Sequence, residues 1–177
     1  VERSRGLGDV YKRQIKYLDI TGGEPFYHKN TKQMLNFLIS TNTAKNITLY
    51  IQTNLTIIND EIIKLLNQFK KVVLRISIDG IGKRQEYIRP GLNWKLFEKN
   101  IKLLKKEKFD MMISPSLSVL NICTFEDLEN WCKENKIGIS QPSIVEFPVE
   151  MAPHNLPTAL HSLVPKKFKK FLDNPIN

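Results

Sequence analysis

The sequence has little cysteine and no long apolar run. Its 177 residues include two cysteines, Cys123 and Cys132, too few for a fold held by disulfides. No stretch approaches the roughly 18 apolar residues that a membrane span requires, and the N-terminal residues lack the continuous apolar core of a secretory signal. We therefore expect a soluble protein of the reducing cytoplasm that makes no membrane contact.

The charge of the chain is strongly basic, with a formal net charge of +9. Such an excess is typical of proteins that bind nucleic acids. The lysines, however, are spread over every predicted helix and have few aromatic neighbours on which bases would stack. A solvated basic surface is the favoured interpretation, and a nucleic-acid partner is not expected from charge alone.

From Ile15 onward, short runs rich in β-forming residues alternate with helical patterns. The runs lie at 15–20, 47–52, 72–78, 111–119 and 137–147, and apolar residues at helical spacing separate them. Asn93, and Thr124 with Asp127, are positioned to cap two of these helices. The alternation predicts an α/β fold with a parallel sheet, either open and doubly wound or curved into part of a barrel.

Small and polar residues follow the predicted strands. In parallel α/β folds ligands bind at the carboxyl ends of the strands, so these residues are site candidates. Taken alone, the segment Gly-Gly-Glu-Pro is also consistent with a tight turn that carries a solvent-facing acid. The candidates, in chain order, are Gly22, Gly23, Glu24, Pro25, Thr53, Asn54, Ser77, Asp79 and Asn121.

Three segments in this order resemble the radical S-adenosylmethionine (SAM) enzymes, in particular the branch with a SPASM or twitch domain. They are ITGGEPF at 20–26, QTNLT at 52–56 and SIDGIGKRQEYIRPGLNWKLFEKNI at 77–101. The resemblance implies a partial (β/α)6 TIM-like barrel that holds a 4Fe-4S cluster and S-adenosylmethionine. It implies reductive cleavage of this cofactor to a 5′-deoxyadenosyl radical, which abstracts a substrate hydrogen. Peptide or protein maturation is the substrate class suggested by analogy.

The resemblance also implies roles for the candidate residues. The loop of Gly22, Gly23 and Glu24 would meet the amino group of the methionine moiety, with Pro25 holding the turn rigid. Arg89 would pair with the carboxylate of the cofactor, because its planar fork can make two parallel bonds. Ser77 would approach the ribose or carboxylate end. Weaker candidates for polar contacts are Asp79, Thr53, Asn54 and Asn121. Leu55 stands where the family often has glycine, so we expect a differently shaped loop there.

The cluster of this family is held by a C-x3-C-x2-C loop upstream of the glycine pair, and the sequence contains no such loop. Cys132 shares an apolar helical face with Phe125, Leu128 and Trp131, which indicates a buried structural thiol. Cys123 is interpreted as a loop thiol at a helix entrance. We therefore expect no metal ligands in this chain and, as written, no catalytic activity.

We interpret the chain as three segments, on the basis of its N-terminal sequence and the missing cysteine loop. Residues 1–14 resemble a translated sequencing adapter and are expected to be a non-native or disordered tail. Residues 15–147 would form the radical SAM core with its first β/α unit missing. Residues 148–177 would be a helical extension leading toward an absent auxiliary domain. The alternative is a non-catalytic α/β module that binds a nucleotide or RNA.

Overall fold

The computed structural model describes residues 15–173, so the tail predicted at 1–14 lies outside the described residues. The helices are α1 (Lys29–Ser40), α2 (Asp60–Leu66), α3 (Gly82–Ile88), α4 (Trp94–Leu104) and α5 (Phe125–Glu134). The strands are β1 (Tyr17–Ile20), β2 (Thr48–Thr53), β3 (Lys71–Ile76), β4 (Asp110–Ile113), β5 (Ser116–Leu117), β6 (Gly138–Ile139) and β7 (Ser143–Ile144).

Five of the strands form one sheet in the order β1-β2-β3-β4-β6. Strand β1 pairs in parallel with β2, with Tyr17 opposite Thr48, and β4 pairs in parallel with β6. Parallel neighbours need a crossover connection, and α1 supplies the one between β1 and β2. The predicted α/β fold with a parallel sheet is confirmed.

Contacts divide the chain into two compact units. The first comprises the described residues up to Arg75 together with Lys99–Met111, and the second comprises Ile76–Glu98 together with the residues from Met112 onward. In the first unit, β2 alternates strictly between buried and partly exposed residues, and Leu49, Ile51 and Thr53 are the buried ones. Because side chains alternate along a strand, Thr53 lies on the same face as the two apolar residues and brings a hydroxyl to the carboxyl end of that face.

In the second unit, helix α5 turns one apolar face inward. Phe125, Leu128, Trp131 and Cys132 are buried, as the helical spacing predicts. Trp131 meets Trp94 edge-on at 5.4 Å between ring centroids, and Phe125 meets Phe168 in the same manner at 5.0 Å. These aromatic contacts add to the free energy of apolar burial.

Within residues 148–173, the described part of the predicted helical extension, the structure has four short 3-10 turns: Val149–Met151, Pro153–Asn155, Thr158–Leu163 and Lys166–Phe171. A proline stands at the cap or first position of each turn. Proline has no backbone N–H and disfavours helical backbone in the residue before it, so it starts a turn and ends whatever precedes it. The four prolines, Pro148, Pro153, Pro157 and Pro165, thereby divide the segment.

Two of the predicted strands are each interrupted, contrary to prediction. The run at 111–119 divides into β4 and β5 at Pro115, and the run at 137–147 divides into β6 and β7 at Pro142. Ile113 stands opposite Ile139 and Ser116 opposite Ser143, so three residues on one side match two on the other. Such a bulge accommodates a proline, which cannot donate a ladder hydrogen bond. Strands β5 and β7 pair in parallel as a separate small sheet.

Candidate functional site

The loop after β1 depends on two glycines. Gly22 has a φ of +94° and Gly23 one of +56°, both in the left-handed region that side chains disfavour. Glu24 then returns to extended backbone and caps the 3-10 turn Pro25–Tyr27, with its carboxylate accepting from the Phe26 N–H at 3.5 Å. Pro25 occupies the first position of this turn, where its missing N–H is not needed.

The carboxylate of Glu24 is buried and is held by the end of β2. The hydroxyl of Thr53 lies 2.9 Å from both carboxylate oxygens, and the backbone N–H of Asn54 donates to Oε2 at 2.9 Å. Glu24 is only 8% exposed, so these donors replace the water that the charge has lost. The structure therefore brings together three of the predicted site residues, Glu24, Thr53 and Asn54.

The carbonyl oxygens of the glycine pair are not used internally. No donor among residues 15–173 binds the carbonyl oxygen of Gly22 or of Gly23. These two oxygens, next in sequence to a residue with a buried carboxylate, are unused hydrogen-bond acceptors of negative partial charge. A protonated amine, which has three N–H donors and a positive charge, is the complementary ligand.

The turn after β2 carries backbone strain at Leu55. Its φ is +57°, the conformation that glycine favours, yet the side chain is fully buried. The Asn54 Oδ1 accepts from the N–H of Thr56 at 2.9 Å, and the amide of Asn100 donates to the Leu55 carbonyl at 2.7 Å. Leu55 therefore adopts a left-handed conformation, and the surrounding bonds hold it there.

A second network, in the second unit, is built around Asp79. This residue is 4% exposed and its two carboxylate oxygens have separate partners. The N–H of Ser116 donates to Oδ1 at 2.7 Å, and Nε of Arg89 donates to Oδ2 at 2.7 Å. The terminal Nη atoms of Arg89 make no bond to any described residue. The arginine therefore keeps the four N–H donors of its two terminal nitrogens available for a ligand.

Two amides hold the backbone of this network. Gln85 is fully buried, and its Oε1 accepts from the N–H groups of Asp79 and Gly80 at 2.8 and 2.9 Å. Asn121 donates to the carbonyls of Asp79 and Ser116 at 2.8 and 2.7 Å. Among the predicted residues, Asp79, Arg89 and Asn121 therefore belong to one network, and Ser77 is buried in the same unit.

Gln85 and Ser116 were missed by the sequence analysis. Gln85 lies in α3, a helix without apolar periodicity, and Ser116 contributes only its backbone N–H. No residue pattern in the sequence indicates either contact.

The two cysteines do not form a cluster site. Burial raises the pKa of the Cys132 thiol to about 12, with a smaller contribution from the negative charge of Glu129, so the thiolate that binds iron is disfavoured. Burial likewise raises the pKa of Cys123, although Arg84 opposes the shift. No three His, Cys, Asp or Glu residues between 15 and 173 are grouped as a metal site. The side chains present therefore do not fit a 4Fe-4S cluster.

Two cavities in the second unit lie away from the predicted residues. One of about 340 Å³ is lined by Phe125, Glu129, Phe168 and neighbours, and one of about 460 Å³ is lined by Ile144, Phe147, His154 and neighbours. Neither contains a predicted site residue.

No helix within the described region is long and apolar enough to cross a bilayer.

Comparison with known proteins gives consistent matches. The sequence profile of the Radical SAM superfamily matches residues 4–132. The structure resembles Streptococcus suis SuiB bound to S-adenosylmethionine, with a TM-score of 0.60, 18% identity, and coverage of 89% of this chain and 36% of that one. It also resembles native anSMEcpe with bound AdoMet and Kp18Cys peptide, with a TM-score of 0.59, 21% identity, and coverage of 91% and 50%. No curated protein matches the chain in sequence.

These similarities concern the fold, and they are partial in length. The chain spans 36% of SuiB and 50% of anSMEcpe. The parallel α/β arrangement is consistent with a partial TIM-like barrel of this kind.

Proposed function

Because the chain belongs to the radical SAM superfamily, we propose that it is part of an enzyme that binds S-adenosylmethionine and uses it for radical chemistry. The family implies a 4Fe-4S cluster, which supplies the electron for reductive cleavage when it is bound. The two cysteines of this chain do not fit such a cluster, so we assign the chain only the task of binding and orienting the cofactor. By itself it is catalytically inactive.

The observation that carries this proposal is the Glu24 network. It combines a buried carboxylate, held by Thr53 and Asn54, with two carbonyl oxygens that no described residue uses. An ammonium group needs such a set of acceptors, and the methionine moiety of S-adenosylmethionine carries one.

The Asp79 network also supports the proposal. It offers the hydrogen-bond donors and positive charge of Arg89, whereas the Glu24 network offers acceptors and a negative charge. Arg89 offers two terminal NH2 groups in one plane, which suits a carboxylate. We assign Ser77 to the ribose or carboxylate end. Asn54, Asp79 and Asn121 then act mainly by shaping the two networks, since their hydrogen bonds in the described region are to the protein itself.

The substrate class belongs to the proposal as well. The similar protein anSMEcpe has a bound peptide, which supports a peptide or protein substrate. The place in the SPASM or twitch branch is proposed from the resemblance of the segments at 20–26, 52–56 and 77–101. In this interpretation, residues 15–147 form the core and 148–177 lead toward an auxiliary domain. The two free thiols agree with a location in the reducing cytoplasm.

Equilibrium dialysis of the 177-residue chain with labelled S-adenosylmethionine tests the proposal. We expect saturable binding, and we expect the substitution Arg89→Ala to weaken it by about tenfold or more, because a charge-assisted contact is lost. The control is Arg84→Ala, since Arg84 pairs with Asp127 on the surface. Absence of binding by the unmodified chain would overturn the proposal.

Reconstitution with iron and sulfide tests the inactivity. We expect neither the absorbance of a 4Fe-4S cluster nor cleavage of S-adenosylmethionine. If both appeared, the assignment of this chain as inactive would be wrong.

A further inference from the structure

We propose that Asp79 is a positioning residue that aims the terminal Nη atoms of Arg89 at the carboxylate of S-adenosylmethionine. The inference deepens the proposed function and rests on it. Asp79 does not touch the cofactor in this arrangement, and it acts only through the arginine.

The first argument is the atom by which Arg89 is held. Asp79 Oδ2 accepts from Nε at 2.7 Å, whereas Nη1 and Nη2 make no bond within the described chain. A guanidinium group is planar, so a short bond to Nε restricts the position and direction of the whole fork. The Arg89 side chain is 36% exposed and would otherwise sample many rotamers. The bond to Asp79 removes that freedom before a ligand arrives.

The second argument is that Asp79 is itself immobile. Its other oxygen accepts from the Ser116 N–H at 2.7 Å, its own N–H donates to Gln85, and its carbonyl accepts from Asn121. Every polar group of the residue is therefore occupied, and the carboxylate is almost fully buried. A support held on all sides can orient a flexible side chain to within a few tenths of an ångström, which preorganised binding requires.

If only the charge of Asp79 mattered, removing it would change the binding of S-adenosylmethionine in the direction opposite to that expected from orientation. The inference can therefore be tested. The negative charge of Asp79 repels a bound carboxylate and partly neutralises Arg89. If charge dominated, removing it would tighten the binding of an anionic ligand. If orientation dominates, the same substitution weakens binding, because the fork must then be ordered by the ligand itself.

The experiment compares S-adenosylmethionine with its decarboxylated form by equilibrium dialysis. The decarboxylated ligand keeps the sulfonium, the amine and the nucleoside but gives Arg89 nothing to bind. For Asp79→Asn we expect binding of S-adenosylmethionine to weaken about tenfold and binding of the decarboxylated ligand to stay within about twofold of the unmodified chain, consistent with the cost of ordering one long side chain on binding. Equal weakening of both ligands would indicate a structural role and would overturn the inference, as would unchanged or tighter binding of S-adenosylmethionine.

A second variant covers the case in which Asp79→Asn does not fold. Asp79→Glu keeps the charge and displaces the carboxylate by one methylene. It therefore tests the effect of the orientation of Arg89 while the charge is unchanged. We expect the same selective loss, and an unchanged ratio of the two affinities would overturn the inference. Asp127→Asn is the matched control, since Asp127 also pairs with an arginine, Arg84, but at the surface. If the unmodified chain bound neither ligand, the proposed function would fail, whereas an unselective variant defeats only the role of Asp79.

Discussion

The hydroxyl of Thr53 lies 2.9 Å from each carboxylate oxygen of Glu24, although the two residues are 29 positions apart in sequence. Thr53 ends β2 and Glu24 follows β1, and the two strands are parallel neighbours. The bond thus joins the glycine loop to the adjacent strand at the edge where ligands of parallel sheets bind.

Substitution of Thr53 by valine should destabilise the chain by about 1–3 kcal/mol, because a buried carboxylate loses a donor while the shape of the side chain is kept. Urea unfolding followed by circular dichroism measures the effect. Thr48→Val is the control at the other end of the same strand, since the Thr48 hydroxyl makes no bond in the described region. An equal effect of the two substitutions would contradict the assigned role of the hydroxyl.

At Leu55 we expect glycine to be a better replacement than alanine. Both substitutions lose a fully buried side chain and should cost several kcal/mol, on the order of 2–5. With φ at +57°, however, alanine keeps the strain and glycine relieves about 1 kcal/mol of it. At Leu49, which is equally buried within β2, the order should reverse. Denaturant unfolding of the four variants measures their stabilities. If glycine and alanine ranked in the same order at both sites, the claim of strain at Leu55 would be refuted.

Two residues at helix starts should respond differently to alanine. Asn93 accepts from the N–H of Leu96 at 2.9 Å, so Asn93→Ala should cost about 1 kcal/mol. Thr124 stands at the cap position of α5 without a capping bond, and its hydroxyl makes only a 3.4 Å contact to the Asn121 carbonyl. Thr124→Ala should therefore change stability by less than about 0.5 kcal/mol. Thermal unfolding of the two variants provides the comparison.

The buried thiol of Cys132 should make stability decline at alkaline pH. Its pKa is raised from 9.0 to about 12 by burial, so the folded state favours the protonated thiol. The contribution is complete below pH 9 and is lost as the pH rises toward 12, because the unfolded chain ionises first.

The measurement is the difference in unfolding free energy between the unmodified chain and Cys132→Ala. From pH 8 to pH 10 the advantage of the unmodified chain should shrink by about 1.4 kcal/mol. Cys123→Ala is the comparison, and a smaller change is expected there because that thiol is only partly buried. A difference for Cys132 that stays constant with pH would contradict the raised pKa.

The sequence predicts much of this arrangement because local patterns are clear. Alternation along β2 places Leu49, Ile51 and Thr53 on one face, and parallel strands place the ends of β1 and β2 together. Those two facts place Thr53 near the loop that carries Glu24, and the conformation of the glycine pair completes the contact.

Helix α3 escapes prediction for a physical reason. Its one buried residue is the polar Gln85, so no apolar period marks the helix. Gln85 is buried because its amide oxygen binds two backbone N–H groups, a requirement that the turn at Asp79 creates and that only the folded chain reveals.

Because of the bulge between β6 and β7, the face on which later side chains lie cannot be predicted from their position along the strand. Three residues, Ser140 to Pro142, oppose two on the neighbouring strand. One additional residue reverses which face every later side chain occupies. The orientation of Glu146 therefore cannot be obtained by counting from Ile139.

The tie between the glycine loop and β2 also bears on when that loop can form. Its donors, Thr53 and Asn54, leave the ribosome some thirty residues after Glu24. The loop cannot acquire its folded conformation during synthesis until the second strand has emerged and paired, because contacts distant in sequence follow chain closure. The glycine loop is thus ordered late, and any event that delays pairing of the two strands leaves this loop of the nascent chain open to proteases.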